Sequence, residues 1–131
     1  MIRKEVVPTP GLAPTEAAGF AQCIVAGDFV FVSGQTGIDE NWELVSHEFR
    51  PQAQQVLQNL RIALESAGSS PADIVAMTAF FADPRHVREF SELRLEAMNG
   101  SLCASTAICG ASFVIPGLLL EVEATAIRRP T

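Results

Sequence analysis

Residues 21–35 read AQCIVAGDFVFVSGQ, and this segment determines how the neighbouring sequence can fold. Two runs rich in β-branched and aromatic residues flank Ala26-Gly27-Asp28. Such runs favour extended strands, and a glycine between them supplies the positive φ that a tight hairpin turn needs. The segment therefore predicts a β-hairpin from which a sheet can grow.

The sequence before the hairpin predicts one more strand. Ile2 to Val7 has a short strand pattern that ends at Pro8 and Pro10, and a loop rich in Gly, Pro and Thr follows to about Gly19. Three strands are therefore expected before the first helix.

The sequence after the hairpin predicts a long amphipathic helix from Arg50 to Ala67, with Gly68 as the residue that ends it. Its apolar residues recur at intervals of three and four, at Ala53, Val56, Leu57, Leu60, Ala63, Leu64 and Ala67. Its polar residues are expected on the other faces, at Gln52, Gln55, Asn59 and Glu65.

The remaining sequence predicts a strand, a helix and two strands. DIVAMTAFFAD, residues 73–83, is typical of a buried strand, and Asp83-Pro84 then caps a helix. The apolar stripe of that helix is Val87, Phe90, Leu93 and Ala97. Strands follow from Ala104 to about Phe113 and from Leu118 to Ile127, on either side of a turn at Pro116-Gly117.

The resulting order is β-β-β-α-β-α-β-β in a single domain of residues 1–131, an α+β fold with a mixed sheet. If both helices cover one face of the sheet, the other face is left for a partner subunit. The composition agrees, because 48% of the residues are hydrophobic and the mean hydropathy is positive.

Charge and cysteine content narrow the function classes. A net charge of −6 without a basic stripe disfavours nucleic-acid binding. No segment is apolar for the length of a membrane-spanning helix, so a cytoplasmic protein without membrane contact is expected. Cys23, Cys103 and Cys109 match neither a disulfide framework nor a metal knuckle and are expected to be reduced thiols.

Four segments together resemble the YjgF/Rid family of reactive intermediate deaminases, formerly labelled endoribonuclease L-PSP proteins. They are AGDFVFVSGQTG (26–37), QAQQVLQNLRIALESAGSS (52–70), DIVAMTAFFADP (73–84) and LEVEATAIRR (120–129). The resemblance implies a fold like bacterial chorismate mutase, assembled as a homotrimer with clefts between subunits. It also implies hydrolysis of a small enamine or imine to a carbonyl compound and ammonia, without metal or organic cofactor.

The resemblance assigns site residues position by position. Phe20 stands where the family often has a cleft-lining tyrosine, Ser33 and Gly34 border the pocket, and Glu121 matches the glutamate that activates or positions water. The family's carboxylate-binding arginine, however, corresponds to Ala104. Because alanine cannot form two parallel charge-assisted hydrogen bonds, turnover of 2-iminobutyrate is expected to fall about ten- to several-hundred-fold.

Other residues are candidates for the rest of the pocket. The backbone amides near Ser105 and Thr106 are expected to bind substrate, and Arg94 is the favoured replacement cation, although a surface role is the commoner one for an arginine. Phe20, Phe90, Ile108, Cys109 and Phe113 are candidate apolar lining for a larger substrate. Cys103 and Cys109 are otherwise simple packing residues, since neither His47 nor His86 stands at a spacing that suggests a catalytic dyad.

Strand alternation puts Glu121, Glu123 and Thr125 on one face, which is also the pattern of a solvated sheet face.

Three functions remain open: a deaminase dependent on Glu121, a tautomerase or isomerase in which Glu121 moves protons, and a ligand-binding trimer without chemistry. The acidity of the chain and the lack of a histidine pair disfavour RNA cleavage.

Overall fold

The computed structural model describes residues 1–129 and contains six strands and two α-helices in the predicted order. The strands are β1 (Lys4–Val6), β2 (Cys23–Ala26), β3 (Phe29–Thr36), β4 (Ile74–Phe81), β5 (Ala104–Cys109) and β6 (Leu120–Ile127), and the helices are α1 (Phe49–Ser66) and α2 (Val87–Ala97). None of the helices in residues 1–129 is long and apolar enough to cross a bilayer.

All six strands form one mixed sheet in the order β1-β2-β3-β6-β4-β5. Every neighbouring pair is antiparallel except β4 and β5, which run parallel and are connected through α2. Both helices pack on one face, where Val56 and Leu60 of α1 and Phe90 of α2 join the main core with Phe81 and Val122 of the sheet. The predicted α+β fold is confirmed.

The turns follow the local sequence signals. Gly27 starts the two-residue connection between β2 and β3 with φ of 59°. Gly68 ends α1 with φ of 78°, and the amides of Gly68 and Ser69 donate to the carbonyls of Glu65 and Leu64, at 3.2 and 2.9 Å. This pair of bonds is a Schellman motif, which only a residue with positive φ after the helix permits.

The second helix begins with one 3₁₀ turn, Pro84–His86, that the sequence pattern did not predict. The Asp83 carboxylate accepts a hydrogen bond from the Arg85 amide at 2.9 Å, so the predicted cap is present. The fifth strand is shorter than predicted. It ends at Cys109 rather than near Phe113, because Gly110 takes a φ of 78° and turns the chain out of the sheet.

Two polar residues of α1 do not face solvent, although their polarity suggested that they would. Gln52 is 0% exposed and Asn59 is 4% exposed. Both lie on the buried side of the helix, where their amides bind backbone groups of adjacent loops. Helical periodicity alone could not show this, because a buried glutamine or asparagine reads as a solvent-facing residue.

The sheet face opposite the helices carries exposed apolar side chains. They include Phe29, Phe31, Val75, Ile108 and Ile127, each more than a third exposed. Between them lies the open-face groove, about 290 Å³ in volume, whose lining includes Phe31, Ser33, Thr78, Glu123 and Thr125. An uncovered face of this kind fits a subunit interface, and the homotrimer stays a prediction.

Candidate functional site

The candidate site is built around a β-bulge in β3. Val32 pairs with Ala124 and Gln35 pairs with Val122, so two residues of β3, Ser33 and Gly34, stand opposite the single residue Glu123. A bulge bends the strand and re-aims its side chains. Here it turns the Gln35 side chain into the protein, where it is 3% exposed, and brings Gly34 beside Glu121.

Glu121 lies directly against the backbone of Gly34. A Cβ atom added at Gly34 would approach the Glu121 side chain to 2.9 Å at Cδ and 3.0 Å at Cγ, and still closer at Oε2. A side chain at position 34 would thus displace the carboxylate. The Ser-Gly step therefore has a steric role, because the missing Cβ makes room for Glu121.

The Glu121 carboxylate is suited to proton transfer. Burial, and then the negative charge of Glu123, raise the pKa of Glu121 above its usual range. Within the part of the chain that the structure describes, no hydrogen bond occupies its oxygens. A half-buried carboxylate with a raised pKa and free acceptor atoms can act as a general base or acid.

Glu121 opens onto a small cavity of about 100 Å³, which we call the Glu121 pocket. Its lining residues are Ala13, Phe20, Gln22, Gly34, Gln35, Thr36, Ile38, Asp39, Trp42, Asn59, Val114, Ile115 and Glu121. They come from four segments of the chain around the start of β6. Apart from Glu121 of β6 and Asp39 of the loop after β3, the lining is uncharged, and none of these residues is a lysine or arginine.

The first wall is the segment before β2. The buried Thr15 donates its hydroxyl hydrogen bond to the Phe20 carbonyl at 2.7 Å, and Gln22 donates to the Ala13 carbonyl at 3.0 Å. Ser33 of the bulge donates to the Ala21 carbonyl at 2.6 Å. These bonds fix the loop that presents Phe20, whose side chain is 46% exposed at the pocket.

The second wall is the loop between β3 and α1. One carboxylate oxygen of Asp39 accepts from the amides of Asn41 and Glu43, at 2.8 and 3.1 Å, and the Asp39 carbonyl accepts from Trp42 at 3.1 Å. These bonds hold Trp42 at a φ of 65°. A bulky residue in this left-handed region costs on the order of 1 kcal/mol, and the surrounding turn must compensate.

The buried amides of α1 attach this loop and its neighbour to the helix. Asn59 donates to the carbonyls of Thr36 and Ile38, at 3.2 and 3.1 Å. Gln52 donates to the carbonyls of Ser46 and Gly117, at 2.9 and 2.8 Å, and accepts from the Leu119 amide at 2.8 Å. Gln52 thus joins the two loops that carry Trp42 and Val114 to the strand that carries Glu121.

Three of the residues singled out from the sequence meet in the Glu121 pocket: Phe20, Gly34 and Glu121. The Ser33 side chain is elsewhere, because its hydroxyl binds the Ala21 carbonyl and the residue lines the open-face groove. Glu123 lines the same groove, whereas Glu121 lines the Glu121 pocket, so the two glutamates of β6 line different cavities.

Ala104, Ser105 and Thr106 do not line the Glu121 pocket of their own chain. Glu121 pairs with Phe80, and Phe80 pairs with Ile108, so Ala104 lies two strands away and four residues before Ile108 in β5. Ala104 and Thr106 pair with Ala76 and Thr78, whose side chains border the open-face groove. Within a single chain the two groups of expected site residues are therefore separate.

Arg94 and Phe90 lie on the helix side of the sheet. The Arg94 guanidinium donates to Ser105 Oγ at 2.6 Å and stands 5.4 Å from the centre of the Phe90 ring. Phe90 itself is 1% exposed and packs edge-on against Phe81. The expectation that Phe90 lines a cleft is not supported, because the Phe90 ring is buried in the core and has no free surface.

Cys23 and Cys103 have the features of packing residues. Burial raises the pKa of Cys23 to about 11. Burial also raises the pKa of Cys103, although the Arg94 charge opposes the change. Cys109 is exposed at the end of β5 and is absent from the lining of the Glu121 pocket. Within residues 1–129 no group of three metal-binding side chains is found, and independence from metals and cofactors stays a prediction.

Trp42, Gln52 and Asn59 are site residues that the sequence patterns did not single out. A sequence signal existed for Trp42, because it stands in the polar turn segment DENWE, residues 39–43, where an exposed indole has no core to join. No signal distinguished Gln52 and Asn59 from the other amides of α1.

Residues 11–128 match the family model described as endoribonuclease L-PSP. A RutC family protein of Pyrococcus horikoshii is 33% identical over 126 residues, 95% of this chain and 98% of the relative. The 2-iminobutanoate/2-iminopropanoate deaminase of Rattus norvegicus is 29% identical over 131 residues, covering 99% and 93%. The crystal structure of an Entamoeba histolytica protein described as an endoribonuclease L-PSP superposes with a TM-score of 0.87 at 32% identity, covering 95% and 99%.

Proposed function

Since the chain belongs to the endoribonuclease L-PSP family, which includes the Rid and RutC proteins, we propose that it is an imine deaminase. It would hydrolyse a small imine or enamine to a carbonyl compound and ammonia. The observation that carries the proposal is the half-buried carboxylate of Glu121. It lies against Gly34, lines a pocket and has a raised pKa.

The chemistry needs one group that moves a proton in both directions. An enamine first takes a proton on carbon to give the iminium form. Water then adds to the iminium carbon while Glu121 accepts a proton from that water, which gives a neutral carbinolamine. Glu121 returns the proton to nitrogen, the C–N bond breaks, and the hydroxyl proton leaves with ammonia as the carbonyl forms. The net change is iminium plus water to carbonyl plus ammonium.

The proposal includes a homotrimer in which a neighbouring copy completes the site. Ala104, Ser105 and Thr106 lie on an exposed edge strand, remote from the Glu121 pocket of the same chain. The exposed apolar sheet face is a suitable subunit interface. In such an assembly the backbone amides of Ser105 and Thr106 would contact substrate bound near Glu121 of the next subunit.

The lining of the pocket favours a substrate that differs from 2-iminobutanoate. None of the described lining residues is a cation, and the position expected to bind a carboxylate is Ala104. A carboxylate would thus lack its usual partner, whereas an apolar group would find Phe20 and Val114. We propose that the protein acts on a bulkier, more apolar imine and only weakly on small 2-imino acids.

The test measures ammonia release from imines generated in place by an amino-acid oxidase, with semicarbazide as a competing trap. Small, branched and aromatic amino acids supply the imines. The Glu121→Gln variant should lose on the order of 10²–10⁴-fold in rate. Glu123→Gln is the matched control, because this carboxylate is two residues along the same strand but lines the open-face groove, and it should keep the activity at its own optimal pH.

The other functions give different results in the same experiment. Deuterium exchange from solvent that depends on Glu121, without ammonia release, would replace the deaminase by an isomerase. Binding without either reaction would leave a ligand-binding protein. If Glu121→Gln released ammonia as fast as the original chain, Glu121 would have no part in the mechanism.

A further inference from the structure

We infer that Trp42 determines substrate specificity by holding the apolar side chain of the substrate at the mouth of the Glu121 pocket. The substrate class is then imines derived from amino acids with branched or aromatic side chains. The chemistry of that class rests on the proposed function, whereas binding to Trp42 can be measured without any reaction.

Exposed apolar surface surrounds the opening of the Glu121 pocket. Trp42 is 43% exposed, Phe20 is 46% exposed and Val114 is 90% exposed, and all three line the cavity that contains Glu121. Large apolar side chains grouped at one opening are unfavourable in water unless something covers them. A substrate side chain that leaves the 100 Å³ cavity would meet these three residues.

The backbone of Trp42 has an unfavourable conformation. Its φ of 65° lies in the region that suits glycine, and among residues 1–129 only one other non-glycine residue, Asn99, has a positive φ. A bulky aromatic residue there needs a compensating benefit, and unfavourable backbone conformations concentrate at ligand sites. Trp42 is 43% exposed and belongs to neither core cluster of the described chain, so core packing supplies at most part of that benefit.

The loop that carries Trp42 is held by hydrogen bonds at its turn and at its base. Three bonds to Asp39 define the turn, and the bond from the Val45 amide to the Gly37 carbonyl, at 3.0 Å, closes the loop at its base. Asn59 then fixes this base to α1. An aromatic ring on a fixed turn loses little conformational freedom when a ligand binds, which favours discrimination between side chains.

The decisive variant is Trp42→Gly. Glycine adopts this φ without strain, so the variant should fold at least as well as the original chain. With imines made from leucine and phenylalanine, kcat/KM should fall about tenfold or more, mainly through KM. With the imine made from alanine, kcat/KM should change little. Val45→Ala is the matched control, because Val45 is an exposed apolar residue of the same loop outside the pocket lining.

A fluorescence titration tests the binding step independently, since the chain has one tryptophan and no tyrosine. The stable product of the leucine-derived imine, 4-methyl-2-oxopentanoate, should produce a saturable change in the emission of Trp42, at a concentration well below that needed for 2-oxobutanoate. If no imine is hydrolysed, the proposed function fails and this titration alone decides the inference. Equal responses to the two oxo acids, or equal kinetic losses on all imines, would overturn it.

Discussion

The carboxylate of Glu121 occupies the space that a Cβ atom would take at Gly34, where Cδ of the glutamate is only 2.9 Å from the position of that atom. This relationship makes the bulge at Ser33-Gly34 part of the reaction centre. The backbone of Gly34 does not have a positive φ, so the requirement for glycine is a matter of space and not of conformation.

Gly34→Ala should therefore lower activity more than stability. The new methyl group would push the flexible end of Glu121 out of place, and a displacement of about 1 Å can cost on the order of 10²-fold in rate. Kinetics on the best imine and urea denaturation would be compared. In a double-mutant cycle, adding Gly34→Ala to Glu121→Gln should cost little more, since both changes act on one group. An alanine variant with the original rate would contradict the assigned role of Glu121.

The pH dependence should report the surroundings of Glu121. If its ionised form accepts the proton from water, kcat/KM rises with pH through a pKa above the ordinary 4.5, because burial and Glu123 disfavour the charged form. Glu123→Gln removes a like charge, which makes ionisation of Glu121 easier, so the rising limb should move to lower pH. The pH profile of Glu92→Gln, an exposed change on α2, serves as control and should not move. An unchanged limb in Glu123→Gln would show that the two carboxylates do not interact.

Gln52 should be a major contributor to stability. Replacing it by leucine leaves the carbonyls of Ser46 and Gly117 and the amide of Leu119 without their partner, at roughly 1–3 kcal/mol for each group that water does not reach. Urea denaturation should show this loss. Gln54→Leu is the control, because Gln54 is exposed on the same helix and should change stability by no more than about 0.5 kcal/mol. Similar losses in the two variants would mean that the buried amide contributes nothing special.

Gln52 also shows how far the sequence alone could lead. Alternation, helical periodicity and the glycines at Gly27 and Gly68 predicted the order of the elements, because these signals act over a few residues. The buried amides were assigned to the wrong side, since their partners are loop carbonyls as far as 65 residues away. Similarly, the bulge that brings Gly34 to Glu121 depends on pairing between β3 and β6, which no local pattern contains.

The open sheet face should hold the subunits together. Phe31 is 45% exposed there, and aspartate at this position would introduce a charge into the proposed interface. Sedimentation should give a trimer for the original chain and a smaller species for Phe31→Asp, with loss of activity because the site is shared between copies. Leu95→Asp is the control, since Leu95 is 50% exposed on α2 and should leave the assembly unchanged. A monomeric original chain with full activity would contradict the shared site.

Ala104→Arg tests whether the missing arginine sets the specificity. Ala104 is exposed on the open side of β5, where a guanidinium could reach the pocket of the neighbouring subunit and bind a carboxylate through two parallel hydrogen bonds. Activity on imines of alanine and 2-aminobutyrate should then rise about tenfold or more, mainly through a lower KM. Ala107→Arg is the control, because it adds the same charge on the same exposed strand at a position paired with the core-facing Ala79. If both variants assemble normally and neither gains activity, the absent arginine is not what limits small substrates. The apolar side chains of Trp42 and Phe20 at the Glu121 pocket then become the stronger explanation.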